Sequence, residues 1–204
     1  GPGQQAAENV HAERDRANML VSLDQLGADF PNCDFVMLVV SWFGDDLRCG
    51  VCKIRPGVEI ANKETTPIAW RVNGLDRAHA YVVSQFDGAP AFGGTPADAT
   101  VVQAIAELKA RGYKVGLYPF LLMDVPAGNA LPDPYGASAQ AAYPWRGRIT
   151  LHPAAGQAGS PDKTSTATAQ IASFFGTAAP GDFGTSSGLP SYSGPNEWSY
   201  RRFV

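Results

Sequence analysis

The chain has 204 residues, 45% of them hydrophobic, with 16 Lys and Arg against 19 Asp and Glu and a net charge of −3. That length fits one domain with a sizeable core, and a weakly acidic chain with no basic cluster offers no electrostatic footprint for nucleic acid. No apolar run approaches the ~20 residues needed to cross a bilayer, and the polar N-terminus carries no apolar stretch of the kind a signal peptide needs.

Gly1 and Pro2 resemble the scar of a cleaved tag, so residues 1–8 are read as scar or flexible lead-in to a domain over residues 9–204. The first element is an amphipathic helix from Glu13 to Leu26. Met19, Leu20, Leu23 and Leu26 recur at three and four, and Gly27 supplies the stop. Asp34 to Phe43 follows as a continuous β-branched and aromatic run, the mark of a parallel strand covered on both faces. Residues 44–73 have no helical period and carry Gly and Pro punctuation, which predicts a hairpin or excursion inserted after the strand.

That excursion holds two candidate metal features. Cys49 and Cys52 form a C-x-x-C, but a zinc site needs two further ligands. His11, His79 and His152 are scattered without ligand spacing, and Arg55-Pro56-Gly57 follows too closely for a thioredoxin-like helix start. The expectation is a structural pair with no metal. Asp45 and Asp46 are either a cation site or, as neighbouring acids usually are, a solvated turn.

Tyr81 to Gln85 reads as a short strand, with Asp87-Gly88 a turn after it. Thr95-Pro96-Ala97-Asp98 then opens a helix: a hydroxyl at the N-cap, Pro at the first helical position and an acid in the first turn. Val101, Val102, Ile105 and Leu108 form its stripe and Gly112 ends it. Lys114 to Asp124 is a second buried strand. A weaker helix is predicted from Thr164 to Phe175, and another from about Asn196 to the end of the chain. Gly and Pro concentrate in Val125–Gly136, Pro153–Pro161 and Gly176–Pro195, which read as long loops on a scaffold.

This rhythm predicts right-handed βα units. Asp34–Trp42 and Lys114–Leu122 are expected to be buried parallel neighbours, with the Thr95–Arg111 helix crossing between them. Both long excursions, after Trp42 and after Asp124, leave from carboxyl ends of strands, where a (β/α)₈ barrel keeps its site.

Four stretches carry a resemblance to a known family: Val39–Cys49 (VVSWFGDDLRC), Gly93–Asp98 (GGTPAD), Tyr118–Asp124 (YPFLLMD) and Tyr143–Thr150 (YPWRGRIT). With Ser160–Thr164 (SPDKT) and Glu197–Arg202 (EWSYRR), they make residues 9–204 resemble the glycoside-hydrolase-like domain of the baseplate, or host-specificity, protein of gene transfer agents and related phage tails. A looser similarity reaches retaining glycosidases of the β-mannanase type. The resemblance implies an α/β fold, a partial (β/α)₈ TIM barrel with long loops at the carboxyl ends of its strands. It places a first strand before Gly1, a general-acid strand soon after Val204 and a nucleophile further on. Neither family glutamate then has a counterpart here, and a retaining glycosidase needs two carboxyls about 5 Å apart.

Two functions follow from the resemblance: the substrate-cleft half of a glycan-cleaving domain, inactive by itself, or a non-catalytic structural or glycan-binding tail module. Either implies cell-surface or cell-wall glycan and other baseplate or tail proteins as partners, no cofactor, and a place in a phage-like tail particle made in the bacterial cytoplasm. Five residues are candidates for contact with sugar. Asp124 ends a buried strand and either meets a sugar or caps its loop. Tyr143, Trp145 and Arg146 share a loop and either stack on and donate to a pyranose or pack the loop. Trp42 either floors the same cleft or belongs to the core.

Overall fold

The computed structural model describes residues 9–204; residues 1–8, read above as scar or lead-in, lie outside it. In chain order the elements are helix α1 (Asn18–Asp29), strand β1 (Phe35–Gly44), and seven two-residue strands: β2 (Ile54–Arg55), β3 (Gly57–Val58), β4 (Arg71–Val72), β5 (Leu75–Asp76), β6 (Tyr81–Val82), β7 (Gln85–Phe86) and β8 (Ala89–Pro90). Helix α2 (Asp98–Ala110) and strand β9 (Lys114–Met123) follow. Helix α3 (Ser165–Phe175), strands β10 (Phe183–Ser186) and β11 (Leu189–Tyr192), and the short helix α4 (Tyr200–Phe203) complete the chain.

The backbone of the molecule is the pair β1 and β9. They run parallel in register from Phe35 opposite Lys114 to Gly44 opposite Met123, and α2 lies between them in sequence, as the βα rhythm predicted. β2 adds an antiparallel step at Phe43 and Gly44. Every other strand belongs to a separate two-stranded sheet.

This mixed α/β arrangement corrects the partial (β/α)₈ TIM barrel that the resemblance implied: small separate sheets stand where a barrel would continue one ladder. Pro119 gives one physical reason. The amides of Lys114 and Asp124 both donate to the β1 side, to Asp34 O at 2.8 Å and Gly44 O at 2.8 Å. Alternate residues of a strand face opposite edges, so even-numbered residues of β9 face β1. Pro119 therefore sits with its missing N–H on the free edge, where it costs nothing against β1 but denies a donor to any further strand.

A second correction concerns burial. The carboxyl ends of β1 and β9 are buried, but Phe35, Met37 and Val39 on β1 and Leu117 and Tyr118 on β9 are exposed. The core lies at the carboxyl ends, where Trp42, Leu47, Ile54, Val58, Trp70 and Met123 pack together. Most of these residues come from the excursion after β1. The hydrophobic runs correctly marked strands, but their full length is not enclosed.

The local signals met with mixed results. α1 begins at Asn18 instead of Glu13 because Asn18 Oδ1 folds back to accept the amides of His11 and Ala12. The helix also runs through Gly27 to Asp29, ahead of Pro31. Thr95 is not the N-cap of α2, whose first helical residue is Asp98. Its hydroxyl instead donates to Ser41 O at 2.7 Å and accepts from the Gly57 amide at 3.0 Å, closing the second edge of β1. Asp87-Gly88 is the turn of the β7–β8 hairpin, both residues at positive φ. The Gly-rich stretch after α3, read as loop, contains the β10–β11 hairpin, turned at Ser187-Gly188 with positive φ at both. α3 begins one residue later than predicted, and α4 is shorter than the helix expected there, capped by Ser199.

The two long excursions are stitched together by Gln140, which is buried. Its Oε1 accepts from the Leu47 amide at 2.9 Å and its Nε2 donates to Asp46 Oδ1 at 2.7 Å. Asp46 also holds Arg48 through Nε at 2.9 Å and the Arg48 amide at 2.8 Å. Asp46 is buried and Asp45 pairs with Arg55 at 3.0 Å, so both carboxylates are engaged by protein donors and the pair is not a solvated turn. Burial works to raise the Asp46 pKa, but the hydrogen bonds from Arg48 and Gln140 outweigh it and hold the carboxyl below its ordinary value. A carboxyl lowered in the folded state stabilises above the unfolded pKa of about 3.9 and loses that contribution as pH falls through the folded value. Urea midpoints should therefore fall below about pH 4, and Asp46→Asn should show a shallower fall over the same range. Parallel curves for the two proteins would refute this.

Candidate functional site

The five candidate residues separate into three environments. Trp42 is 5% exposed and packs edge-on against Trp198 at 6.0 Å and against Phe203 at 5.5 Å. It is a core residue, enclosed by its neighbours.

Asp124 and Tyr143 form the second environment. Asp124 is 2% exposed and lies one residue beyond β9. Its Oδ2 accepts from Tyr81 Oη at 2.6 Å and from the Ser84 amide at 2.8 Å, while Oδ1 is buried without a protein partner. Burial and then the Asp124 carboxylate push the Tyr81 phenol well above its ordinary pKa, so Tyr81 remains a donor. The Arg55 guanidinium covers the Tyr81 ring at 4.2 Å. Ser84 Oγ lies 3.1 Å from Tyr143 Oη, and the Tyr143 amide donates to Val125 O at 2.7 Å. Tyr143 adopts φ +46°, a left-handed conformation that a bulky residue holds only when its surroundings fix it. Phe86 and Phe92 meet its ring edge-on and complete that hold. Ser84 and Tyr81 are the members that sequence reasoning missed; only the geometry links them to Asp124.

Trp145 and Arg146 form the third environment, two residues along the same loop. Trp145 is 68% exposed, the most exposed large hydrophobic side chain among the described residues. Its ring lies over the short 3-10 turn Arg146–Arg148, and any Cβ at Gly147 would collide with it, so glycine at this position lets the ring lie flat. The Arg146 guanidinium stacks 4.3 Å from the centre of the Phe120 ring, with Nη2 3.5 Å from Tyr118 Oη.

Beside this loop opens a groove of about 620 Å³. One wall is Pro119 and Leu121 of β9, another the loop from Trp145 to Leu151, and the floor is aromatic, with Phe174 of α3 and Tyr200 of α4 stacked 5.5 Å apart. Among the described residues Arg146 is the sole charged side chain in the lining, and no Asp or Glu lines it. Its far wall is tied to the rim: Gln170 on α3 accepts from the His152 amide at 2.9 Å and donates to His152 O at 3.1 Å.

Comparison with known protein families and with curated proteins finds no match. The site is therefore read from its own geometry. It can present an aromatic face, a guanidinium and an apolar wall to a ligand, but it offers no carboxyl to give or take a proton. Among the described residues no group of three or more His, Cys, Asp or Glu stands close enough to hold a metal ion. No helix among them is long and apolar enough to cross a membrane.

Cys49 lines the groove and Cys52 lies behind it, both buried and neither in a disulfide. Burial, reinforced by the nearby Asp45 charge, pushes the Cys52 thiol up to about 12. Burial likewise raises Cys49. Thiolate is the reactive form, so a disulfide reagent at neutral pH should titrate half-exposed Cys33 first and the other two only on unfolding. Three equally fast thiols would contradict the buried placement.

Proposed function

We propose that this chain is a glycan-binding module of a gene transfer agent or phage-tail baseplate, engaging cell-envelope glycan through Trp145 and Arg146 without cleaving it. The observation that carries the reading is the exposed Trp145 ring, laid flat over Gly147 at the mouth of the groove. An indole face stacks on the C–H face of a pyranose, and a guanidinium donates to its hydroxyls. The motifs from Val39 to Cys49 and from Tyr143 to Thr150 support the baseplate assignment through the resemblance described above.

The lining favours binding over hydrolysis. Cleaving a glycosidic bond requires one carboxyl to protonate the leaving oxygen and another to serve as nucleophile or base. The groove has neither. Asp124, buried just beyond the groove-lining end of β9, does not line the groove; its Oδ2 is held by Tyr81 and Ser84, and it acts as a positioning residue. It holds Ser84, Ser84 meets Tyr143, and Tyr143 anchors the loop that carries Trp145.

The reading is tested by incubating the chain with β-linked oligosaccharides and peptidoglycan fragments, following both binding and release of reducing ends. Binding in the millimolar range or tighter, loss of ~10-fold or more on Trp145→Ala and no new reducing ends are expected. Turnover by this chain, abolished by changing Asp124, would show that the carboxylate is catalytic.

A further inference from the structure

Arg146 is a cation without a counter-ion at the mouth of an apolar groove. Its neighbours are the Phe120 ring and the Tyr118 hydroxyl. Among the described residues no carboxylate stands within ion-pair distance of it; Arg71, Arg148, Arg201 and Arg202 share that lack, but of these Arg146 alone lines the groove. A guanidinium does not lose its proton near neutral pH, so the charge is permanent. No acid in the lining repels an incoming anion.

We infer that the groove selects glycans whose sugar bears a carboxylate, with Arg146 taking the carboxylate while the pyranose ring lies along Trp145. This rests on the glycan-binding reading and narrows it to acidic sugars. A fork of two parallel N–H donors matches the two oxygens of a carboxylate, and such charge-assisted bonds are about twice as strong as bonds to neutral hydroxyls. A neutral sugar would stack equally well on Trp145 but offer the guanidinium only neutral hydroxyls in place of a carboxylate.

The test is calorimetric titration of the chain with one disaccharide in two forms: N-acetylglucosaminyl-N-acetylmuramic acid with its lactyl carboxylate free, and the same compound as its methyl ester. The ester keeps the rings and linkage, removes the charge and adds one methyl group. The free acid should bind ~10-fold or more tighter at low salt, and the preference should shrink in about 0.5 M NaCl. Arg146→Gln, shown by circular dichroism to be folded, should bring the ratio of the two affinities close to one. Equal binding of the two forms by the unmodified chain would overturn acid selectivity while leaving glycan binding in place. A preference that survives Arg146→Gln would overturn the role of Arg146. Failure of both forms to bind would overturn the glycan reading itself.

Discussion

Trp42→Ala is expected to lower the free energy of unfolding by about 3–5 kcal/mol, the range for removing a large aromatic from a packed core. Trp42 is 5% exposed, with its ring between Trp198 and Phe203, so the truncation opens a cavity that joins β1 to the C-terminal helix. The rigid backbone of the β1–β9 pair prevents that cavity from collapsing fully. Urea unfolding monitored by circular dichroism checks this: the midpoint should fall with little change in slope. Glycan binding should survive at temperatures where the variant is folded. A variant of nearly unchanged stability that has lost binding would return Trp42 to the floor of a cleft.

Asp124→Ala is expected to cost about 2–4 kcal/mol, because it strands a half-buried phenol and a half-buried amide that share one carboxylate oxygen, each unmet group costing about 1–3 kcal/mol. Asp124→Asn should recover more than half of the loss, since its amide oxygen can still accept from Tyr81 and Ser84. Binding in the Ala variant should weaken through the loop, as Tyr143 loses the partner of its partner at Ser84. The Asn variant should restore both stability and binding. Loss of binding in Asp124→Asn at full stability would mean that the carboxylate meets the ligand directly.

The parts of this architecture that the sequence made legible were those written in local periodicity. The apolar runs marked β1 and β9 as strands, and their separation by a helical stripe led to their parallel pairing. The turn residues Asp87-Gly88 were legible because only a few residue types tolerate positive φ. What sequence could not give was tertiary choice. Thr95 has every mark of an N-cap, yet its hydroxyl is drawn to Ser41 and Gly57 across the sheet. Pro119 inside an apolar run does not announce which edge its missing donor faces; that depends on register, and here it faces the open edge. Trp42 and Trp145 are the same residue type, each inside one of the stretches that carry the resemblance, and only packing makes one a core residue and the other an exposed platform. Gln140 carried no signal, because a buried amide joining two excursions has no local pattern.

The most direct test of the central claim is an NMR titration of the four tryptophan indole N–H signals with a cell-wall glycan. Trp70 donates to Thr95 O at 2.8 Å and Trp42 is buried, so both signals should stay in place as ligand is added. The Trp145 signal should move, saturably, at concentrations that leave the glycan intact. Movement of Trp42 or Trp70 with Trp145 unmoved, or appearance of cleaved glycan during the titration, would contradict binding without turnover at the Trp145–Arg146 rim.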